Sequence, residues 1–192
     1  MIVRISILSY LLSAVLVLSV GGRNAWAVEL IKAEAALKNI FPEATNFEKK
    51  EVVLTEEQVR LIEESAGVSF EKTHSATLIV YRIDASDKII GYAFEDVVVG
   101  KWAPIHYLVG LDLQGAVLQV VVLEYKEIRG RPVAKKRFLN QYKGKTIQDE
   151  LMLRSDIDGV TGATISSRSM TDGVRKILHI FKLIKDSFDE TK

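Results

Sequence analysis

The feature that most constrains the fold of this chain is a β-rich stretch over residues 76–125. β-Branched and aromatic residues dominate it, and turn residues interrupt it at Asp84–Asp87, Gly100–Pro104 and Gln114–Gly115. Short apolar runs separated by such turn signals are typical of antiparallel sheets. The run Val117–Leu123 has almost no polar alternation, which favours a strand covered on both faces. We predict four antiparallel strands, near residues 76–83, 89–99, 105–112 and 116–124.

Amphipathic helices are predicted on both sides of this stretch. Val28–Ile40 carries apolar residues at helical spacing and stops before Pro42. Thr55 and Gln58 form a capping-box pattern, and the helix that follows is expected to end at Gly67. A long C-terminal helix is indicated by the recurring apolar residues Met170, Val174, Ile177, Leu178, Phe181 and Ile184. The predicted fold class is therefore α+β, with an antiparallel sheet of about four strands covered by N-terminal and C-terminal helices.

The first 27 residues have the pattern of an export signal. Met1–Arg4 is positively charged, Ile5–Val20 is uncharged and apolar, and Ala25 and Ala27 place small residues two positions apart. The apolar run is shorter than the roughly 20 residues of a bilayer-spanning helix, and small residues after it are typical of a cleavage site. We expect cleavage after Ala27, with an uncleaved membrane anchor as the alternative. In both cases the domain is expected to work outside the cytoplasm.

Composition excludes several classes of function. The chain has no cysteine, which excludes disulfide scaffolds, thiolate metal sites, iron–sulfur clusters and cysteine nucleophiles. Its 26 basic and 25 acidic residues give a formal net charge of +1, so no uniform field favours nucleic acid as a partner. The basic stretch 126–146 is interpreted as a solvated surface with a short helix around Phe138–Tyr142. A docking face for an acidic redox partner is the alternative interpretation of that stretch.

Other catalytic and metal-binding patterns fail at specific positions. Gly144–Thr146 resembles the end of a phosphate-binding P-loop, but Leu139 stands where the earlier glycine is required. Asp156–Asp158 could open a calcium loop, yet Val160 and Thr161 occupy the positions of a ligand and of the turn glycine. The three histidines are far apart in sequence and are expected to be ordinary polar or packing residues: His74, His106 and His179. No metal site is predicted.

The segment with the most chemical content is Asp158–Ser167, immediately before the predicted C-terminal helix. The first turn of a helix has backbone N–H groups without intrahelical partners, and the helix dipole is positive there, so phosphate binds well at such a place. Gly162 permits a positive φ, which allows a bulky ligand to approach the backbone. From the residues alone two interpretations stay open. The segment is a phosphate-binding helix start, or one hydroxyl among Thr164, Ser166 and Ser167 caps the helix.

This segment resembles the flavin-attachment motif of the periplasmic FMN-binding domain family, Asp-x-x-Ser/Thr-Gly-Ala-Thr. The family is known from the C subunit of the sodium-translocating NADH:quinone reductase and the G subunit of Rnf. All fixed positions match, at Asp158, Thr161, Gly162, Ala163 and Thr164. The similarity covers roughly residues 90–180 and includes Gly91–Glu95, Gly100–Ile105, Val109–Asp112 and Gly173–Arg175. The chain has Glu-Ile-Arg-Gly at 127–130, where those subunits tend to carry Glu-Thr-Pro-Gly, so it is nearer the stand-alone members.

The resemblance implies a covalently bound FMN. An exported flavin transferase, with magnesium at its own site, would move FMN from FAD onto the Thr164 hydroxyl as a phosphoester. Thr161, Gly162 and Ala163 would shape the phosphate loop, and Asp158 would orient this loop or assist the transferase. The flavin ring would lie against the sheet and the 127–130 loop. Further expected cofactor contacts are Ser166, Trp102, Glu127 and Gly130. Trp102 and Tyr107 are candidate apolar neighbours of the ring, and for each of them a packing role alone is the alternative.

The function implied by the resemblance is electron transfer in the cell envelope rather than turnover of a small substrate. The expected partners are the transferase and membrane or cytochrome redox proteins, and the protein is expected in the periplasm, where it can dock at the membrane. The predicted domains are a signal peptide at 1–27, a helical N-terminal segment at 28–75 packed on the domain, and an FMN-binding domain at 76–192. Two alternatives remain: a module that binds FMN or another phosphate ligand without a covalent bond, and an envelope interaction protein.

Overall fold

A computed structural model describes residues 28–70, 76–125 and 131–189. The predicted signal peptide at 1–27 lies outside the described residues. The strands are β1 (Val28–Glu29), β2 (Asn46–Val53), β3 (Thr77–Ala85), β4 (Lys88–Val99), β5 (Pro104–Leu111) and β6 (Val117–Tyr125). The helices are α1 (Ala33–Ile40), α2 (Glu56–Ala66), α3 (Lys136–Leu139) and α4 (Thr164–Asp189), and two short 3₁₀ turns flank α3, at Arg131–Ala134 and Asn140–Tyr142.

All six strands form one antiparallel sheet in the order β1-β6-β5-β4-β3-β2. The α+β fold class is confirmed, and the four predicted strands agree with β3 to β6 within two residues at every end. The sheet has more strands than the four expected, because β2 and the two-residue β1 extend it at its two edges.

Helices cover the sheet on both faces. The larger apolar cluster packs α2 and α4 against one face, and the smaller cluster packs α1 against the other. Strand β6 contributes to both clusters, with Val120 and Val122 in the larger and Leu123 in the smaller. The prediction that this strand is covered on both faces is therefore confirmed.

The N-terminal helices differ from the prediction in one respect. Helix α2 has the predicted capping box, in which the Thr55 hydroxyl accepts from the Gln58 N–H and the Gln58 side chain accepts from the Thr55 N–H, and Gly67 ends it with a φ of 62°. Helix α1 begins only at Ala33, because Val28–Glu29 instead pairs with β6. In the three described ranges, no helix combines the length and the apolar character that crossing a bilayer requires.

Candidate flavin site

The predicted helix start is formed as the sequence indicates. Thr164 is the first residue of α4, and the first intrahelical bond runs from the Ser167 N–H to the Ala163 carbonyl at 2.8 Å. The 158–163 loop that precedes it turns at Gly162, whose φ is 80°. Apart from Gly162 and its two chain neighbours, no residue has an atom within 4 Å of the place where a Gly162 Cβ would stand. The tip of the loop therefore leaves space for a ligand or a partner to approach the backbone.

The four hydroxyls of this segment divide into two outward and two inward groups. Thr161 and Thr164 are exposed, whereas Ser166 and Ser167 are buried. The Ser167 hydroxyl accepts a hydrogen bond from the Val160 N–H at 3.1 Å. The Ser166 hydroxyl accepts one from the Lys101 N–H at 3.3 Å, which joins the helix start to the β4–β5 turn. The two serines thus bond to backbone N–H groups of neighbouring segments, whereas Thr164 is exposed.

A cleft borders the 158–163 loop. Its volume is about 490 Å³, and it is lined by Lys135, Arg137, Phe138, Gln141, Asp158, Gly159, Val160 and Thr161. One wall is the α3 region and the other is the loop. The Phe138 side chain is buried in the core beneath α3, while Lys135 and Arg137 are exposed. The cleft therefore combines an apolar surface with two cationic side chains beside the predicted phosphate loop.

Gln141 is the residue of this site that sequence reasoning missed. Its side-chain carbonyl accepts from the Asp158 N–H at 2.8 Å, and its side-chain amide donates to the Asp158 carbonyl at 3.1 Å. The same amide also lies 3.3 Å from the Phe138 carbonyl. A lone glutamine in an irregular basic stretch carries no pattern that points to this contact. Only the three-dimensional approach of residues 141 and 158 reveals it.

Residues 145–156, which connect the α3 region to the 158–163 loop in sequence, are held by an ion-pair network. Lys145 Nζ lies 2.8 Å from an Asp156 carboxylate oxygen and 3.2 Å from an Asp149 oxygen. Asp156 also accepts from the backbone N–H groups of Leu151 and Met152. Desolvation raises the pKa of Asp156, but these bonds and the Lys145 charge outweigh it and leave the pKa below its ordinary value. Asp156 and Lys145 therefore tie residues 145–156 to one another. No cluster suited to a metal ion occurs within residues 28–70, 76–125 and 131–189.

The aromatic residues that were expected near the flavin ring occupy different environments. Trp102 is 71% exposed on the β4–β5 turn, with Lys101 Nζ 4.9 Å from the centre of its ring. Its neighbour Lys101 is bonded to Ser166, so Trp102 lies close to the start of α4. Tyr107 is completely buried, and its hydroxyl donates to Asp96 at 2.7 Å. Tyr107 therefore packs in the core and presents no surface to a ligand, in agreement with the packing role that was its alternative.

Two comparisons with known proteins bear on this geometry. Residues 100–179 match the model of a family described as the FMN-binding domain. This part of the chain is therefore similar to the FMN-binding domain family. The chain is also 23% identical over 157 residues to the G subunit of the Na(+)-translocating ferredoxin:NAD(+) oxidoreductase complex of Acetobacterium woodii, an alignment that covers 77% of this chain and 72% of that protein.

The FMN-binding domain match maps onto the structure as follows. It begins at the β4–β5 turn, includes β5, β6, α3 and the 158–163 loop, and ends within α4. The expected cofactor contacts Asp158, Thr161, Gly162, Ala163, Thr164, Ser166 and Trp102 are within it and gather around the start of α4. The expected contacts Glu127 and Gly130 also fall within the match, but they lie outside the described residues. The cofactor roles of all these residues stay predictions.

Proposed function

We propose that this protein carries FMN covalently on the Thr164 hydroxyl and transfers electrons between redox partners in the cell envelope. The observation that carries the proposal is the setting of Thr164, which is exposed at the first residue of α4 inside an FMN-binding domain. The nearby buried hydroxyls of Ser166 and Ser167 are already engaged by backbone N–H groups. Thr164 is thus the helix-start hydroxyl that a modifying enzyme can reach.

The residues around Thr164 fit both parts of FMN. A phosphodiester retains one negative charge, and the positive end of the helix dipole stabilises such a charge by about 0.3 to 1 kcal/mol. The neighbouring cleft of about 490 Å³ falls within the roughly 300 to 1,000 Å³ typical of small-molecule sites. Val160 and the edge of Phe138 give the cleft part of its apolar lining, and Lys135 and Arg137 offer positive charge. We propose that the flavin ring lies in this cleft.

The attachment step balances with FAD as the co-substrate of a flavin transferase. The Thr164 oxygen would form a bond to the FMN-side phosphorus of FAD while the bond from that phosphorus to the bridging oxygen breaks. AMP leaves with the bridging oxygen, and the hydroxyl proton is released. Once bound, FMN would supply the redox chemistry that a chain without cysteine cannot provide from its own side chains. The chain's contribution is to hold the phosphate at α4 and to shape the cleft.

The proposed setting is the periplasm. The apolar run at 5–20 followed by Ala25 and Ala27 has the pattern of an export signal, and the relative in Acetobacterium woodii is named as part of a ferredoxin:NAD(+) oxidoreductase complex. We therefore propose membrane redox subunits or a cytochrome as electron-transfer partners. Outside the cytoplasm a covalent bond prevents loss of the cofactor by dilution, because the association cost, estimated at about 4 to 15 kcal/mol, does not recur.

The experiment is coexpression of the full chain with a flavin transferase, followed by denaturing electrophoresis and intact-mass measurement. We expect a flavin-fluorescent band that survives denaturation and a mass increase of one FMN less one water. Thr164→Ala should abolish both signals. Thr164→Ser keeps a hydroxyl at the same position and should retain both signals. Thr161→Ala removes the other exposed hydroxyl of the loop and tests whether the flavin is attached there instead.

Two outcomes would contradict the assignment. A denaturation-resistant band that persists in Thr164→Ala places the bond on another residue. Yellow colour that is released completely by denaturant selects the non-covalent binding module instead.

A further inference from the structure

The side chain of Gln141 makes a two-point contact with one residue of the 158–163 loop. It accepts from the Asp158 N–H at 2.8 Å and donates to the Asp158 carbonyl at 3.1 Å. A primary amide presents a donor and an acceptor side by side, so it pairs with a residue's backbone as a neighbouring strand would. The contact fixes the backbone of Asp158 and leaves its exposed carboxylate outside the pairing. Glutamate, the closest residue in shape, lacks the donor.

The segment that carries Gln141 is itself firmly placed relative to α4. Gln141 belongs to the 3₁₀ turn Asn140–Tyr142, and the Tyr142 side chain is fully buried. The Tyr142 hydroxyl lies 2.9 Å from the Thr171 hydroxyl on α4, and its ring packs edge-on against Phe138 at 5.5 Å. Burial raises the pKa of Tyr142 well above its ordinary value, so this hydroxyl stays neutral. The turn and the helix that bears Thr164 therefore act as one rigid support.

The 158–163 loop is thus tied to neighbouring elements at two points, and its own turn is closed by a bond from the Ala163 N–H to the Val160 carbonyl at 2.9 Å. Gln141 fixes Asp158 at the start of the loop, and the Ser167 hydroxyl fixes Val160 two residues later. The exposed residues Thr161 and Gly162 follow the second point of attachment. Any enzyme that recognises this backbone shape when it modifies Thr164 binds only the molecules in which the loop has that shape. The fraction of molecules with the loop in that shape limits the apparent affinity for the enzyme.

We infer that Gln141 is a positioning residue for flavin attachment, holding the 158–163 loop in the shape that the transferase recognises. The inference rests on the proposed attachment at Thr164. Gln141 lies outside the Asp-x-x-Thr-Gly-Ala-Thr pattern. It lines the wall of the cleft opposite the loop. Removing the side chain leaves the Asp158 backbone free to take other conformations, while Thr164, α4 and the buried Ser167 contact remain.

The test measures the rate of flavin attachment to the full-length protein by purified transferase with saturating FAD. Gln141→Ala should lower kcat/KM for the protein acceptor about tenfold, as expected when two hydrogen bonds are lost from a loop that must be ordered. Gln148→Ala is the matched control, because Gln148 is an exposed glutamine of the same region. The melting temperature of each unflavinylated variant is measured in parallel, and the expected decrease for Gln141→Ala is small since the core is untouched.

A second variant, Gln141→Glu, should give a pH dependence of the attachment rate that a general loss of stability would not produce. In Gln141→Glu the ionised carboxylate still accepts from the Asp158 N–H but repels the Asp158 carbonyl. The protonated acid regains a donor. The attachment rate of this variant relative to the unsubstituted protein should therefore rise as the pH falls from about 7 toward 5, approaching the ordinary glutamate pKa of about 4.3. Gln141→Ala should show a flat ratio over the same range.

The outcomes separate this inference from the proposed function. If the unsubstituted protein is flavinylated and Gln141→Ala matches Gln148→Ala in rate, Gln141 has no positioning role and the assignment of Thr164 stands. If Gln141→Ala is slow only in proportion to its loss of folded protein, the residue is merely structural. If the unsubstituted protein accepts no flavin, the proposed function falls and this inference falls with it.

Discussion

At the scale of single residues, a buried ion pair joins α4 to β4 and carries a large desolvation cost. Lys176 Nζ lies 2.7 Å from an Asp96 oxygen, and both side chains are 0% exposed. Burial lowers the pKa of Lys176, and the Asp96 charge opposes that shift. The Tyr107 hydroxyl donates to the same carboxylate at 2.7 Å. Each charge is tolerated in the core only because the other is present.

Lys176→Met should therefore destabilise the protein strongly. It leaves Asp96 buried without a counter-charge, and breaking such a pair typically costs about 3 to 5 kcal/mol of unfolding free energy. Urea unfolding at neutral pH measures the cost, with Lys182→Met as the control on the exposed side of the same helix. Adding Asp96→Asn to Lys176→Met removes the stranded charge and should recover part of the loss. If Lys176→Met alone is no less stable than Lys182→Met, the ion pair is not formed.

A second pair, on the opposite face of the sheet, predicts a pH dependence. His106 Nε2 lies 2.9 Å from one Glu95 oxygen, and the Tyr81 hydroxyl donates to the other at 2.6 Å. The hydrogen bond to Glu95 raises the pKa of His106 above 6.5. Burial raises the pKa of Glu95, but the bonds from His106 and Tyr81 outweigh burial and leave it below 4.5. Both groups are therefore charged together over the interval between these values.

The sign of the effect follows from linkage. Stability from His106 is complete below pH 6.5 and is lost as the pH rises through its raised pKa, whereas stability from Glu95 is lost as the pH falls through its lowered pKa. Because His106 is partly exposed, we expect less than about 1 kcal/mol from it. Between about pH 6 and pH 9, the unfolding free energy should fall more for the unsubstituted protein than for His106→Gln. Parallel pH profiles for the two proteins would contradict the pairing.

At the scale of elements, local signals predicted those parts of the fold that local residues determine. The Thr55 capping box and the Gly67 terminus define α2, since both ends are made by residues close in sequence. Strand β2 gave no such signal. Its sequence is rich in Glu and Lys, and most of its side chains are exposed because it is an edge strand paired only with β3. Charged edge strands of this kind limit aggregation and lack the apolar alternation that sequence reasoning relies on.

The site shows the same division between local and distant contacts. The helix start and the positive φ at Gly162 could be predicted because one continuous segment forms them. The inward roles of Ser166 and Ser167 and the pairing of Gln141 with Asp158 depend on how separate elements approach each other. Gly173 is a further example. A Cβ there would lie 2.5 Å from the Tyr107 hydroxyl, so this glycine sets how closely α4 packs on the sheet.

At the scale of the whole molecule, the family match and the folded unit have different boundaries. The match begins at residue 100, yet the sheet that supports the site continues through β4, β3 and β2. On one face α2 contributes Ile62 to the same cluster as α4, and on the other α1 contributes Leu37 and Phe41. Gly91 lies directly beneath the Phe41 ring. Residues 28–70 therefore complete the core on both faces of the sheet.

This continuity predicts that a chain containing residues 76–192 alone does not fold cooperatively. Without residues 28–75, β3 becomes an unprotected edge and the surface covered by α1 and α2 faces water. We expect residues 28–192 to show one unfolding transition by circular dichroism, and residues 76–192 to show a broad change and to bind a hydrophobic dye. Residues 33–192 are the matched control, because this deletion removes only β1 and its connection to α1. A sharp transition for 76–192, with the same midpoint as for 28–192, would instead establish the C-terminal part as an independent domain.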